Sequence, residues 1–199
     1  MHWIGFYDYT VILTYLSLFS GLIGMKNAAD GRFGAAMVCL LVSGVCDLFD
    51  GAVARTKKNR TEAQKNFGIQ LDSLCDVICF GVFPAVFLYC SGVNSWLGVA
   101  VLLAYVLCAL IRLAFFNVLE IQRQRTEDGC TKFYRGLPVT SAAVVFPIVY
   151  LLALALPAAA LGLYYGAAVV MAVLFIADFA IPKLDVGGLL HRSASKEKV

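Results

Sequence analysis

The sequence predicts an all-α integral membrane protein: six transmembrane helices preceded by a short interfacial segment at the N-terminus. Three observations carry this expectation. Of the 199 residues, 61% are hydrophobic and 15% charged, whereas soluble domains carry about 25% charged residues. Mean hydropathy is +0.81. Six apolar runs, at about 9–25, 33–50, 67–90, 94–118, 137–156 and 160–181, approach the ~20 residues that an α-helix needs to cross a bilayer.

The elements follow in order. Residues 1–8 hold Trp3, Phe6 and Tyr7 but no Lys or Arg, a composition suited to headgroup depth. They lack a basic n-region and a clear small-residue cleavage site, so no removed signal peptide is expected. The first two runs are joined by a connection holding only Lys26 and Arg32. Runs two and three are separated by Arg55, Lys57, Lys58, Arg60 and Lys65, and runs four and five by Arg123, Arg125, Lys132 and Arg135. After run six come Lys183, Arg192, Lys196 and Lys198, while the connections near Ser91–Asn94 and Pro157–Ala160 carry no basic residue. The positive-inside rule puts both termini and the two long basic loops in the cytoplasm, and an even number of spans agrees. The predicted organisation is a membrane domain over 1–185 and a polar cytoplasmic tail over 186–199.

Other classes are disfavoured. A net charge of +3 is too small to argue for nucleic acid, and none is expected as a partner. The seven cysteines (39, 46, 75, 79, 90, 108 and 130) are odd in number and form no CxxC pair. They read as small buried hydrophobes, not as a disulfide or zinc framework. No internal repeat points to an inverted-repeat transporter.

The chemistry concentrates between Asp47 and Asp76. Asp47 and Asp50 are three apart and share one helix face; Asp72 and Asp76 are four apart and share another. A carboxylate at mid-bilayer costs roughly 2.5–3.5 kcal/mol, so four unpaired ones would cost about 10 kcal/mol. Such groups are expected to bind cations or do chemistry. Gly51, Ala54 and Gly68 lie within a turn of them, and small residues permit close approach of a helix or a ligand. Two antiparallel helices joined at this end would bring all four carboxylates together, a set suited to Mg²⁺ or Mn²⁺. Ion pairs with Arg55 or Lys57, or a passive cation site, are the plainer alternatives.

The pattern D-x-x-D-G-x-x-A-R…G-x-x-x-D-x-x-x-D, filled by Asp47, Asp50, Gly51, Ala54, Arg55, Gly68, Asp72 and Asp76, resembles the signature of the CDP-alcohol phosphotransferase family. Twelve residues separate Arg55 from Gly68, more than is usual, and the excess is polar loop. The resemblance implies that two divalent cations bridge Asp47, Asp50, Asp72 and Asp76 and grip the diphosphate of a CDP-linked lipid. It makes Asp76 the general base as well as a ligand, and CMP the leaving group. It gives Gly51, Ala54, Arg55 and Gly68, with Thr14 and Ser17 of the first run, to the CDP-lipid. It also implies a homodimer in the cell membrane with its active site at the cytoplasmic side.

Three stretches resemble the branch of that family whose acceptor is serine: Phe67–Ala85, Leu110–Val118 and Phe133–Pro138. They imply transfer of a phosphatidyl group from CDP-diacylglycerol to L-serine. Phe115 stands where Arg is usual, and Ser17 where Asn is expected. The acceptor-side candidates are Arg112, Asn117, Lys132 and Arg135. An Arg fork suits a carboxylate, but Arg112 can also snorkel to the interface. Asn117 can equally hydrogen-bond between helices, and Lys132 and Arg135 can be ordinary cytoplasmic basics. Asp178 is read as a partner for Lys183. Another alcohol acceptor (glycerol phosphate or inositol phosphate) and a cation transporter are the rival readings.

Overall fold

A computed structural model describes residues 5–6, 9–57, 61–125, 133–178 and 180–182. After a 3₁₀ turn at Tyr9–Val11, the helices are α1 (Ile12–Ala29), α2 (Phe33–Thr56), α3 (Glu62–Asp76), α4 (Phe83–Cys90), α5 (Trp96–Arg125), α6 (Ala142–Ala155) and α7 (Ala160–Ile176). α3 and α4 form one rod, joined by a π-helical turn at Val77–Val82. Each of the six apolar runs therefore holds helix.

Helix ends follow from local sequence. α1 and α2 make an antiparallel hairpin whose turn is Asp30, Gly31 and Arg32. Gly31 sits at φ +75°, its N–H reaches the Ala28 carbonyl at 3.1 Å, and the Arg32 N–H reaches Asn27 at 2.8 Å. This is the glycine-terminated helix end in which a left-handed residue lets two orphan carbonyls be satisfied. α3 begins with a capping box: the Gln64 N–H donates to Thr61 Oγ1 at 3.2 Å and the Thr61 N–H to Gln64 Oε1 at 3.1 Å.

Hydroxyls and small residues hold the hairpin together. Ser17 Oγ donates to the Ser43 carbonyl (3.1 Å), Ser43 Oγ to the Ser17 carbonyl (2.6 Å), and Ser20 Oγ to Cys39 (2.8 Å). Such bonds suit helices in lipid, where water cannot compete. A Cβ on Gly24 would sit 2.2 Å from the Phe83 ring, and one on Gly44 would sit 2.5 Å from Ala143 Cβ. These contacts bring α1 onto α4 and α2 onto α6. The core between them is aromatic: Phe80, Phe83, Phe87, Tyr105, Phe146 and Phe175 are fully or almost fully buried.

The outer surface is apolar instead of charged. Phe19, Leu48, Leu97, Leu151 and Val173 all point outward, a pattern that belongs in lipid. Four segments are long and apolar enough to cross a membrane: Phe33–Val53, Glu62–Cys90, Trp96–Ile121 and Pro157–Ile176. α1 carries Lys26 and Asn27 in its last turns, and the Val139–Ala155 segment is shorter.

The architecture is all-helical, as expected, with one short ribbon added. Phe133–Arg135 (β1) pairs antiparallel with Ala180–Pro182 (β2), with Tyr134 opposite Ile181. The ribbon ties the segment after α5 to the segment after α7. Three residues are too few for a strand pattern to show in sequence.

Candidate active site

α2 and the first half of the α3–α4 rod bring the four aspartates together. One carboxylate oxygen from each of Asp47, Asp50 and Asp72 lies within 4.8 Å of the others. Asp76 lies within hydrogen-bonding reach of Asp47, and Asp72 within reach of Asp50. Asp50 is only 8% exposed, and Asp47, Asp72 and Asp76 are half-buried. Two hydroxyls lie against the group: Thr14 Oγ1 donates to Asp50 Oδ2 at 3.2 Å, and Thr140 lies beside Asp47.

What is missing matters as much. Asp72 Oδ1 is buried and has no hydrogen-bond partner. Among the described residues, none of the four carboxylates closes a salt bridge with a basic side chain. Buried like charges without counter-charge are strongly unfavourable. A convergent set of hard oxygen donors with one orphaned acceptor fits a divalent cation. The predicted metal-binding aspartates thus form a group that the described side chains leave short of positive charge.

The aspartates open on a cleft of about 770 Å³, within the range of small-ligand sites. α2 supplies Gly44, Asp47, Asp50 and Gly51 to its wall, α3 supplies Asp72, Ser73 and Asp76, and the segment after β1 supplies Pro138–Ser141. A Cβ on Gly51 would meet nothing within 4 Å, so open space lies over it.

α5 forms the facing wall with Arg112, Phe116, Asn117 and Glu120. Arg112 is 7% exposed; its Nη2 donates to the Gly136 carbonyl at 3.3 Å, and its guanidinium lies 5.7 Å over the Phe116 ring. Asp178 attracts it from the end of α7. Gly136 adopts φ +70°, and a Cβ there would meet the Ala177 carbonyl oxygen at 2.8 Å, so the loop can close over Arg112 only with glycine. Asn117 Oδ1 accepts from Ser73 Oγ at 2.8 Å, tying α5 to the Asp-bearing helix.

The predicted residues therefore sort into groups. Asp47, Asp50, Asp72, Asp76, Gly51, Arg112 and Asn117 share the cleft. Thr14 touches it through Asp50. Ser17 is buried in the helix interface, bonded to Ser43 and 3.7 Å from Cys79 Sγ. Gly68 is half-buried on α3. Lys132 and the side chains of Ala54, Arg55 and Arg135 lie outside the described residues. Thr140, Ser73 and Glu120 were not singled out from sequence. Only the Gly136-Leu137-Pro138 turn just before Thr140 hinted at the first.

Comparison with known proteins gives the family. Residues 9–180 match the CDP-alcohol phosphatidyltransferase family. The chain is 36% identical over 138 residues to the CDP-diacylglycerol–serine O-phosphatidyltransferase of Mycobacterium tuberculosis (strain ATCC 25618 / H37Rv), covering 66% of this chain and 45% of that protein. It is 37% identical over 141 residues to the archaetidylserine synthase of Methanothermobacter thermautotrophicus, covering 70% and 56%. The CDP-diacylglycerol–serine O-phosphatidyltransferase of Helicobacter pylori (strain ATCC 700392 / 26695) is 34% identical over 148 residues, covering 73% and 58%. The chain spans about half the length of the curated relatives it matches.

Proposed function

The chain belongs to the CDP-alcohol phosphatidyltransferase family, and from that premise we propose that it transfers a phosphatidyl group from CDP-diacylglycerol to the hydroxyl of L-serine, releasing CMP. The observation that carries the proposal is the juxtaposition across one cleft of four aspartates, including the orphaned Asp72 Oδ1, and a buried arginine.

Asp47, Asp50, Asp72 and Asp76 hold two divalent cations, Mg²⁺ or Mn²⁺. The chemistry such ions supply when bound is neutralisation of charge on the attacking and leaving oxygens. Thr14 and Thr140 hold Asp50 and Asp47 in place for this. Gly51 and Ala54 leave room for the cytidine nucleotide, and Arg55 pairs with its phosphates. Gly68 lets α3 approach the lipid-linked diphosphate, and Ser17 supports the same wall from behind. On the facing wall Arg112 receives the serine carboxylate, Asn117 adds a hydrogen bond, and Lys132 and Arg135 supply positive charge from the loop. The serine hydroxyl oxygen bonds to the phosphorus that carries diacylglycerol. Its proton passes to Asp76, and the bond from that phosphorus to CMP breaks. A base must lie within hydrogen-bond reach of the proton it takes, and Asp76 opens on the same cleft.

The same reading makes 1–185 the membrane domain and 186–199 a polar tail. It gives six spans in the cell membrane, a cytoplasmic site and a homodimer as the working form. The basic loops support the orientation.

The test is CMP release by the purified protein in detergent with CDP-diacylglycerol and Mn²⁺. Release should require L-serine, cease with EDTA and return with added Mn²⁺. Release only with glycerol phosphate or inositol phosphate would overturn the acceptor. No turnover with any alcohol, together with cation passage into liposomes, would overturn the enzyme.

A further inference from the structure

The rod that carries Asp72 and Asp76 changes character directly after them. From Val77 to Val82 it opens into a π turn, with the Phe83 N–H reaching back five residues to the Ile78 carbonyl. The cause lies in the sequence. In a regular α-helix the Phe80 carbonyl would accept from the N–H of residue 84, which is Pro84 and has none. The proline ring would also collide with that carbonyl. A turn wider by one residue relieves the collision and leaves the Phe80 carbonyl in need of a donor.

The donor comes from across the bundle. The Tyr105 hydroxyl, on α5, donates to the Phe80 carbonyl. Tyr105 is 0% exposed, and its ring lies 5.6 Å from Phe146, edge-on, and 5.6 Å from Phe175. Three helices thus hold one hydroxyl against the carbonyl whose regular α-helical donor the proline lacks.

The wide turn has a consequence for the site. In an unbroken helix Asp76, Phe80, Phe83 and Phe87 would follow the i, i+4, i+7, i+11 stripe and share a face. All three phenylalanines are 0% exposed in the core, whereas Asp76 opens on the cleft. One extra residue rotates the two halves by roughly 100° relative to each other.

We propose that Tyr105 is a positioning residue for the carboxylate site: its hydrogen bond to Phe80 holds the π turn, and the turn sets the face on which Asp72 and Asp76 meet Asp47 and Asp50. This rests on the reading of the four aspartates as a cation site.

The test is a titration with Mn²⁺ alone of the full chain in detergent, following free Mn²⁺ by electron paramagnetic resonance. Tyr105→Phe keeps the ring and its packing but removes the donor, and should weaken Mn²⁺ binding about tenfold. Pro84→Ala restores an N–H at position 84 and lets the helix regularise. It should melt in EDTA no lower than the wild type, yet bind Mn²⁺ about tenfold more weakly. A merely structural tyrosine would lower the melting temperature in EDTA and leave Mn²⁺ affinity unchanged; that result overturns the proposal. Should Tyr105→Phe not fold, wild-type affinity in Pro84→Ala overturns it alone. Mn²⁺ binding by the wild type without serine-dependent CMP release would sink the serine reading while leaving this comparison intact.

Discussion

The rod from Glu62 to Cys90 has two halves that live under opposite rules. Before the π turn it presents Asp72, Ser73 and Asp76 to a cleft, with a buried oxygen left unpartnered. After it, Phe83, Phe87 and Leu88 are fully buried and fill the space between α1, α5 and α7. Both halves are continuous helix, yet the first stores electrostatic cost for a ligand to relieve, and the second supplies the packing that holds that cost in place. The contrast teaches that the cleft is made by a junction: the 29 residues of one apolar segment turn carboxylates to a cleft at one end and phenylalanines to the core at the other, with a π turn and Pro84 between them.

The sharpest way to break the contrast is Asp76→Asn. Turnover should fall about 10³-fold if Asp76 is the base, with substantial CDP-lipid binding retained. Equal loss of binding and turnover, measured by CMP release and ligand titration, would remove it from that role. In the other half, Phe83→Ala should cost about 3–5 kcal/mol of stability, read by thermal unfolding in detergent, while the folded fraction keeps its Mn²⁺ affinity. Arg112→Lys, on the facing wall, should raise the KM for serine about tenfold, with the KM for the CDP-lipid unchanged, because Lys lacks the planar fork. Cys75→Ala, between the two aspartates of α3, should change turnover less than about twofold, since the buried thiol acts as a small hydrophobe.

The smallest effect is expected outside the membrane. Lys26 Nζ hydrogen-bonds Asp30 and holds its carboxyl below the usual carboxylate range. A lowered folded-state value means that the pair contributes above the unfolded value and loses its contribution as pH falls through the lowered one. Both groups face solvent, where such pairs are screened. Asp30→Asn should therefore melt with the wild type at pH 7; a clear drop would show that the turn is held by charge more than by Gly31.

Much of this was legible in the sequence. The helix-forming runs and the Asp spacing are written in hydropathy and in i, i+3 and i, i+4 periodicity, which the backbone obeys locally. Ser17 shows where spacing stops: a hydroxyl bonding the neighbouring helix and one facing a ligand look alike in sequence. The partners of Arg112 were equally hidden. Lys183, the partner expected for Asp178, lies outside the described residues, while the charge of Asp178 also acts on Arg112, an approach of α7 to α5 that is set by packing many residues away. The π turn lay in plain view as Pro84, four residues beyond Phe80, yet proline in an apolar run reads as a kink until the orphaned carbonyl is followed to its donor.

The Schellman-type end at Gly31 bears on how the molecule is made. The α1–α2 hairpin is complete once residue 56 is synthesised, and contacts so close in sequence form early. At that moment Asp47 and Asp50 are already in place, Asp50 beside Thr14, while the helix bearing Asp72 and Asp76 does not yet exist. A nascent chain halted there would hold a folded hairpin with half a site and no affinity for cation. Arrival of the third helix is then a checkpoint: the proposed divalent-ion site exists only after the α3–α4 rod has met the α1–α2 hairpin, so metal capture would report that meeting.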